Sequence, residues 1–187
     1  MGKGRVEAFS DGVIAIIITI MVLELRPPHE ATIEALKPLW PVFLSYVLSF
    51  AYIGIYWNNH HHMLHAVKHV SGSVLWANLH LLFWLSLTPF TTAWMGENHF
   101  APTPVAVYGI GLLMNAVAYS ILVRLLIRTH GPDSEFAKRI GGDIKGYISL
   151  ALYMLAVGLT FVSSWISLAI FFGVAMIWFI PDRRFER

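Results

Sequence analysis

The chain is 187 residues long, 57% hydrophobic, 14% aromatic and only 13% charged, with a formal charge of +2. Soluble domains average roughly 45–50% apolar residues, so this composition excludes disorder and leaves more apolar surface than one water-soluble core needs; the excess must face lipid. The absence of cysteine excludes disulfides, thiolate metal sites, iron–sulfur clusters and thiol nucleophiles, and so small a net charge implies no nucleic-acid partner.

A bilayer core takes about 20 mostly apolar residues per helix, and six stretches read as spans: residues 8–25, 40–57, 74–94, 105–127, 147–162 and 165–180. The first follows Lys3 and Arg5 as a signal peptide would, but Glu7 and Asp11 precede its apolar run and Glu24-Leu25-Arg26-Pro27 follows it with no small-residue cleavage site. It is expected to be retained as a membrane helix. Pro89 is placed to bend the third span. The last two are short and parted only by Ser163-Ser164, which predicts a tight hairpin because one helix across both would be far too long to cross once. No soluble domain is left over. Residues 128–146 form a polar connection of mixed charge, expected to be partly helical, and the whole of 1–187 is expected to be one all-α, six-helix polytopic membrane domain.

Lysine and arginine give the orientation, since cytoplasmic loops carry the excess. With the N-terminus inside, the cytoplasmic side holds Lys3, Arg5, Lys68, Arg124, Arg128, Lys138, Arg139, Lys145, Arg183, Arg184 and Arg187, and the outside holds Arg26 and Lys37. That bias places both termini in the cytoplasm. Trp40, Trp57, Trp76, Trp94, Trp165 and Trp178 fall near the expected span ends, where an amphipathic ring suits the interface.

The first span is the most informative. With Ile16 taken as zero and about 100° per residue, Ile20 falls at about +40°, Leu23 at about −20°, Gly12 at about −40° and Thr19 at about −60°. Ser10 and Asp11 fall at about 120° and 220°. The helix therefore has an apolar stripe and a polar back. An ionisable group inside a span is costly and normally meets protein, a partner charge or water, so Asp11 is expected to face its own subunit. The stripe is then free to face lipid, another helix or a symmetry axis.

Arg5-Val6-Glu7-Ala8-Phe9-Ser10-Asp11 fits R-x-x-x-F-S-D, the first-helix signature of the transmembrane protein 175 family of potassium channels, and the chain resembles the bacterial branch of that family further on. Trp57-Asn58-Asn59-His60-His61 is similar to its second-helix W-x-x-H-H ending, and Leu75-Trp76-Ala77-Asn78-Leu79 followed by Pro89-Phe90 is similar to its third helix. The resemblance implies a homotetramer in the bacterial cell membrane whose four first helices line a central pore for potassium ions, with no cofactor. It implies a constriction at Ile16, Ile20 and Leu23 and an ion-preference position at Thr19. Arg5, Phe9, Ser10 and Asp11 are expected to tie the cytoplasmic end of the first helix to the second and third, with His60 and Asn78 as partners. A ring of apolar side chains can stop ions by dewetting when narrow, and conducts when widening restores hydration. The T-V-G-Y-G carbonyl filter is absent, so selectivity is expected to be weak, helped by Thr19 and, at the outer mouth, Glu24.

His60, His61, His62, His65 and His69 form the most conspicuous chemical cluster. His61, His65 and His69 at four-residue spacing could present three imidazoles to a metal; hydrogen-bonding interfacial histidines and a pH-responsive cluster are the other two readings. No carboxylate or cysteine lies nearby in sequence, and Lys68 opposes a cation. Asn78 and His80, in or near the third span, need buried partners. Gly109, Gly111, Ala116, Ala118 and Gly158 are expected close-packing sites. Asp133, Glu135 and Asp143 read as a solvated face of the connection, and no nucleophile, phosphate-loop or paired-carboxylate motif is present, so an enzyme is not expected. The reading is a passive, potassium-preferring channel; the alternatives are a histidine–metal membrane protein and a proton- or ion-coupled transporter using Asp11 and the histidines.

Overall fold

The structure is a computed structural model in which residues 2–141 and 143–179 are described, apart from the side chain of Arg139. All regular structure among them is helical: α1 Lys3–Leu23, the short 3-10 turn Glu34–Leu39, α2 Trp40–His65, α3 Gly72–Ser86, α4 Thr88–Glu97, α5 Pro102–His130, α6 Glu135–Ile140, α7 Ile144–Leu159 and α8 Ser164–Phe179. Ile180, the expected end of the last span, and Arg183, Arg184 and Arg187 of the charge pattern lie outside the described residues.

The helices outrun the apolar windows at the charged end of the molecule. α1 begins at Lys3, five residues before its expected start, and α2 continues from Trp57 through the histidines to His65. Both extensions carry polar residues that face each other, and tertiary contacts rather than lipid hold them helical. Pro89 does more than bend the third span: α3 stops at Ser86 and α4 restarts at Thr88, with Pro89 in its first turn. Proline has no N–H to give the carbonyl four residues back and its ring crowds that carbonyl. Four helical segments (Lys3–Leu23, Glu34–His65, Gly72–Glu97 and Pro102–His130) are long and apolar enough to cross a membrane. α7 and α8, of 16 residues each, span about 24 Å at the helical rise. They meet in a hairpin whose turn is internally bonded, Ser167 Oγ donating to the Ala156 carbonyl at 2.7 Å.

Two apolar cores result. One joins Ile14, Ile17 and Met21 of α1 to Met63 and Leu64 of α2, Leu81 and Leu85 of α3, and Leu122 and Leu126 of α5. The other joins α2, α5, α7 and α8 around Tyr108, Tyr153 and Phe171 and takes nothing from α1. α1 is thus held on one side only, by α2, α3 and α4. Small residues divide by context. A Cβ on Gly96 would sit 2.8 Å from the Val42 Cα, and one on Gly109 would sit 2.7 Å from the Phe171 ring, so both mark close crossings. Gly111 and Gly158 would meet nothing within 4 Å; within the subunit they are not packing sites, contrary to expectation. Ala118 is fully buried.

Candidate functional site

The two faces of α1 separate cleanly. Val6, Ser10, Ile14, Ile17 and Met21, at spacings of four and three, are buried in the subunit. On the other side Ile16 is 59% exposed, Ile20 42% and Leu23 72%, and Gly12 and Thr19 share that exposed face. Thr19 Oγ1 donates to the Ala15 carbonyl at 2.9 Å; its proton is engaged by the helix and its lone pairs are left for an outside donor or a cation. Glu24 caps the C-terminal end of α1, just beyond Leu23.

The buried face carries a hydrogen-bonded chain. Ser10 Oγ donates to the Val6 carbonyl at 2.8 Å and accepts from Asn78 Nδ2 at 2.9 Å, and Asn78 Oδ1 lies 2.7 Å from His60 Nε2. The protons fix one another. Ser10 has a single hydroxyl proton, committed to Val6, so Asn78 must turn its amino group to Ser10 and its carbonyl to His60. His60 therefore carries its proton on Nε2 and donates. All three side chains are almost wholly buried, and His60 Nδ1 has no hydrogen-bond partner among the described residues.

Beside that chain runs a polar ladder between antiparallel helices. Asp11 Oδ1 accepts from Trp57 Nε1 at 3.0 Å, Glu7 Oε1 lies 3.3 Å from His61 Nδ1, and Lys3 Nζ donates to the His65 carbonyl at 3.0 Å. Each step goes back four residues on α1 and forward four on α2, one helical turn on each, so the three contacts keep one register. His61 stacks between Trp57 and His65, with ring centroids 6.1 and 6.0 Å away. The histidines accordingly divide by role: His60 in the buried chain, His61 and His65 on the ladder, and His69 against the His130 ring at 4.5 Å. Among the described residues no group of three or more histidine, aspartate or glutamate side chains is placed to hold a metal ion. His80 accepts from Trp84 Nε1 one turn along its own helix.

Arg5 and Phe9 stand elsewhere than expected. Both are exposed, Phe9 at 55%, and they do not join Ser10 and Asp11 against α2 and α3 within the subunit. The reason is angular: Arg5 falls at about −20° and Phe9 at about +20° from Ile16, so they extend the exposed stripe toward the start of the helix. Lys3 and Glu7 are the residues the sequence reading missed. Their signal was the four-residue spacing Lys3, Glu7, Asp11, which matches Trp57, His61, His65.

Comparison with known proteins places this architecture. The family described as "Endosomal/lysosomal potassium channel TMEM175" matches residues 5–89, which hold the exposed stripe, the buried chain and all of the ladder but Lys3. A potassium channel of Chryseobacterium sp. (strain P1-3) is 54% identical over 187 residues, covering 100% of this chain and 97% of that one. The human endosomal/lysosomal proton channel TMEM175 is 36% identical over 96 residues, 44% of this chain and 19% of its own length. Among solved structures, the crystal structure of a lysosomal potassium-selective channel TMEM175 homologue from Chamaesiphon minutus superposes with a TM-score of 0.81 at 31% identity, covering 96% of this chain and 97% of that one. With a full-length relative at 54% identity and a matching fold, the chain belongs to the TMEM175 potassium-channel family.

Proposed function

We propose that four copies of this chain, each crossing the bacterial cell membrane six times with both termini in the cytoplasm, assemble around an axis lined by α1 and conduct potassium passively, in preference to sodium. Ile16, Ile20 and Leu23 form the constriction, and Thr19 supplies the ion preference. The observation that carries this is the division of α1: its polar residues Ser10 and Asp11 are anchored inward while the isoleucine stripe is left uncovered by the subunit. Lipid could cover isoleucine and leucine equally well. It could not as readily cover Thr19, which shares that face within the span, because polar groups facing hydrocarbon are costly. A water-containing axis accommodates both kinds of residue. The names of the bacterial relatives support the ion.

The gate follows from residue type. Four copies of an apolar side chain around an axis expel water when close and admit hydrated ions when slightly apart, with no titrating group required. Between the Ile16 and Ile20 layers, four Thr19 oxygens whose protons are engaged by Ala15 carbonyls offer lone pairs to a partly dehydrated cation. Planar-bilayer recording of the reconstituted protein under opposed potassium and sodium tests this. The wild type gives a linear current with a reversal potential favouring potassium, and Thr19→Val, which keeps the shape and removes the oxygen, moves that potential toward zero. A flux that saturates at low turnover would instead mark a carrier.

A further inference from the structure

Away from α1, helices α2, α5, α7 and α8 enclose a small cleft of about 40 Å³, partly open to the outside. Its walls include Tyr52, Tyr56, Tyr119, Tyr153 and Trp178, with Asp143 at the start of α7. The tyrosines lie in close pairs, Tyr56 with Tyr119 at 6.1 Å and Tyr52 with Tyr153 at 6.3 Å between ring centroids. Most donor groups of the wall are already engaged within the subunit. Tyr52 donates to the Phe171 carbonyl, Tyr119 to the Asn59 carbonyl and Trp178 Nε1 to Ser149 Oγ. The Ser149 and Ser120 hydroxyls donate to the Lys145 and Ala116 carbonyls. These groups therefore offer a guest lone pairs and aromatic surface but no proton. Asp143 Oδ1 accepts from the Gly146 N–H that it caps, and among the described residues its carboxylate is the one formal charge in the wall.

We propose that this cleft is a binding site for a substituted ammonium group. Aromatic surface attracts a diffuse cation through the ring quadrupole, and the carboxylate supplies the countercharge and disfavours anions. A bare metal ion is a poorer guest, since hard cations need several oxygen ligands and one carboxylate stands here. The ammonium can belong to a phospholipid headgroup or to a soluble amine.

The assembled protein in detergent is titrated with tetramethylammonium, and binding is followed by broadening of its methyl proton resonance. Asp143→Asn is the informative variant, because asparagine caps a helix as well as aspartate does and the fold is kept. Binding to the wild type, weakened on the order of tenfold in Asp143→Asn and likewise in Tyr56→Leu, with the melting midpoint of Asp143→Asn unchanged, supports the site. Phosphatidylethanolamine that co-purifies and is displaced by tetramethylammonium assigns the site to a lipid headgroup; binding with no such lipid assigns it to a soluble amine. No binding, or equal binding by wild type and Asp143→Asn as a guest lodged in the pore would give, overturns the proposal.

Discussion

Replacing Ile16 with asparagine is expected to raise single-channel conductance on the order of tenfold and to bring the potassium-to-sodium permeability ratio toward one. Ile16 is 59% exposed on the face of α1 that its own subunit leaves bare. Around an axis, four isoleucine side chains make the constriction expensive to hydrate; four amides hydrogen-bond water and keep it wet. Lowering the permeation barrier by about 1.4 kcal/mol is sufficient for a tenfold change in rate. Planar-bilayer recording reads both quantities. Unaltered conductance and ion preference in a well-folded Ile16→Asn variant would mean that the stripe faces lipid.

The largest loss of stability is expected from Asn78→Leu. Asn78 is the middle of a buried chain and bonds Ser10 on α1 and His60 on α2 at once. Leucine has the same heavy-atom branching and a larger volume, so the substitution leaves no cavity, but it strands the lone pairs of Ser10 and the Nε2–H of His60 in a dry core. Each buried polar group left without a partner costs about 1–3 kcal/mol, which sums to about 2–6 kcal/mol across the two. The thermal midpoint in detergent should fall, and the assembled fraction on size exclusion should fall with it, because α1 is held from one side only. His60→Phe combined with Asn78→Leu should cost clearly less than the two separate losses together, since the second substitution removes a group the first has already orphaned. Strict additivity would show that the three residues do not act as one unit.

Much of this was legible in the sequence because helix geometry is local. The rotation per residue put Ile16, Thr19, Ile20 and Leu23 on one side of α1 and Ser10 on the other, and the structure leaves the first four exposed and Ser10 buried. The same arithmetic places Arg5 and Phe9 on the exposed stripe; grouping them with Ser10 and Asp11 by motif obscured it. Pro89 announced the break between α3 and α4 because its missing N–H is a local fact. What escaped depends on register between distant segments. The four-residue spacing of His61 and His65 is visible in sequence, but that they meet Glu7 and Lys3 follows only from how α1 and α2 pack. Gly109 and Gly111 are alike in composition, and the Phe171 ring against one of them comes from a helix some sixty residues later. The aromatic cleft was invisible for the same reason, its walls coming from α2, α5, α7 and α8.

The central claim, that the bare face of α1 lines water at the axis, is most directly tested with a thiol. The chain contains no cysteine, so Ile16→Cys carries one thiol per subunit and needs no background substitutions. Phe172→Cys, on α8 and 58% exposed on a helix that shares no core with α1, is the control. A cationic, membrane-impermeant thiol reagent applied during bilayer recording is predicted to abolish current through Ile16→Cys and to leave Phe172→Cys unchanged. If Ile16→Cys stays unmodified and conducts as before, the stripe faces lipid and the pore lies elsewhere.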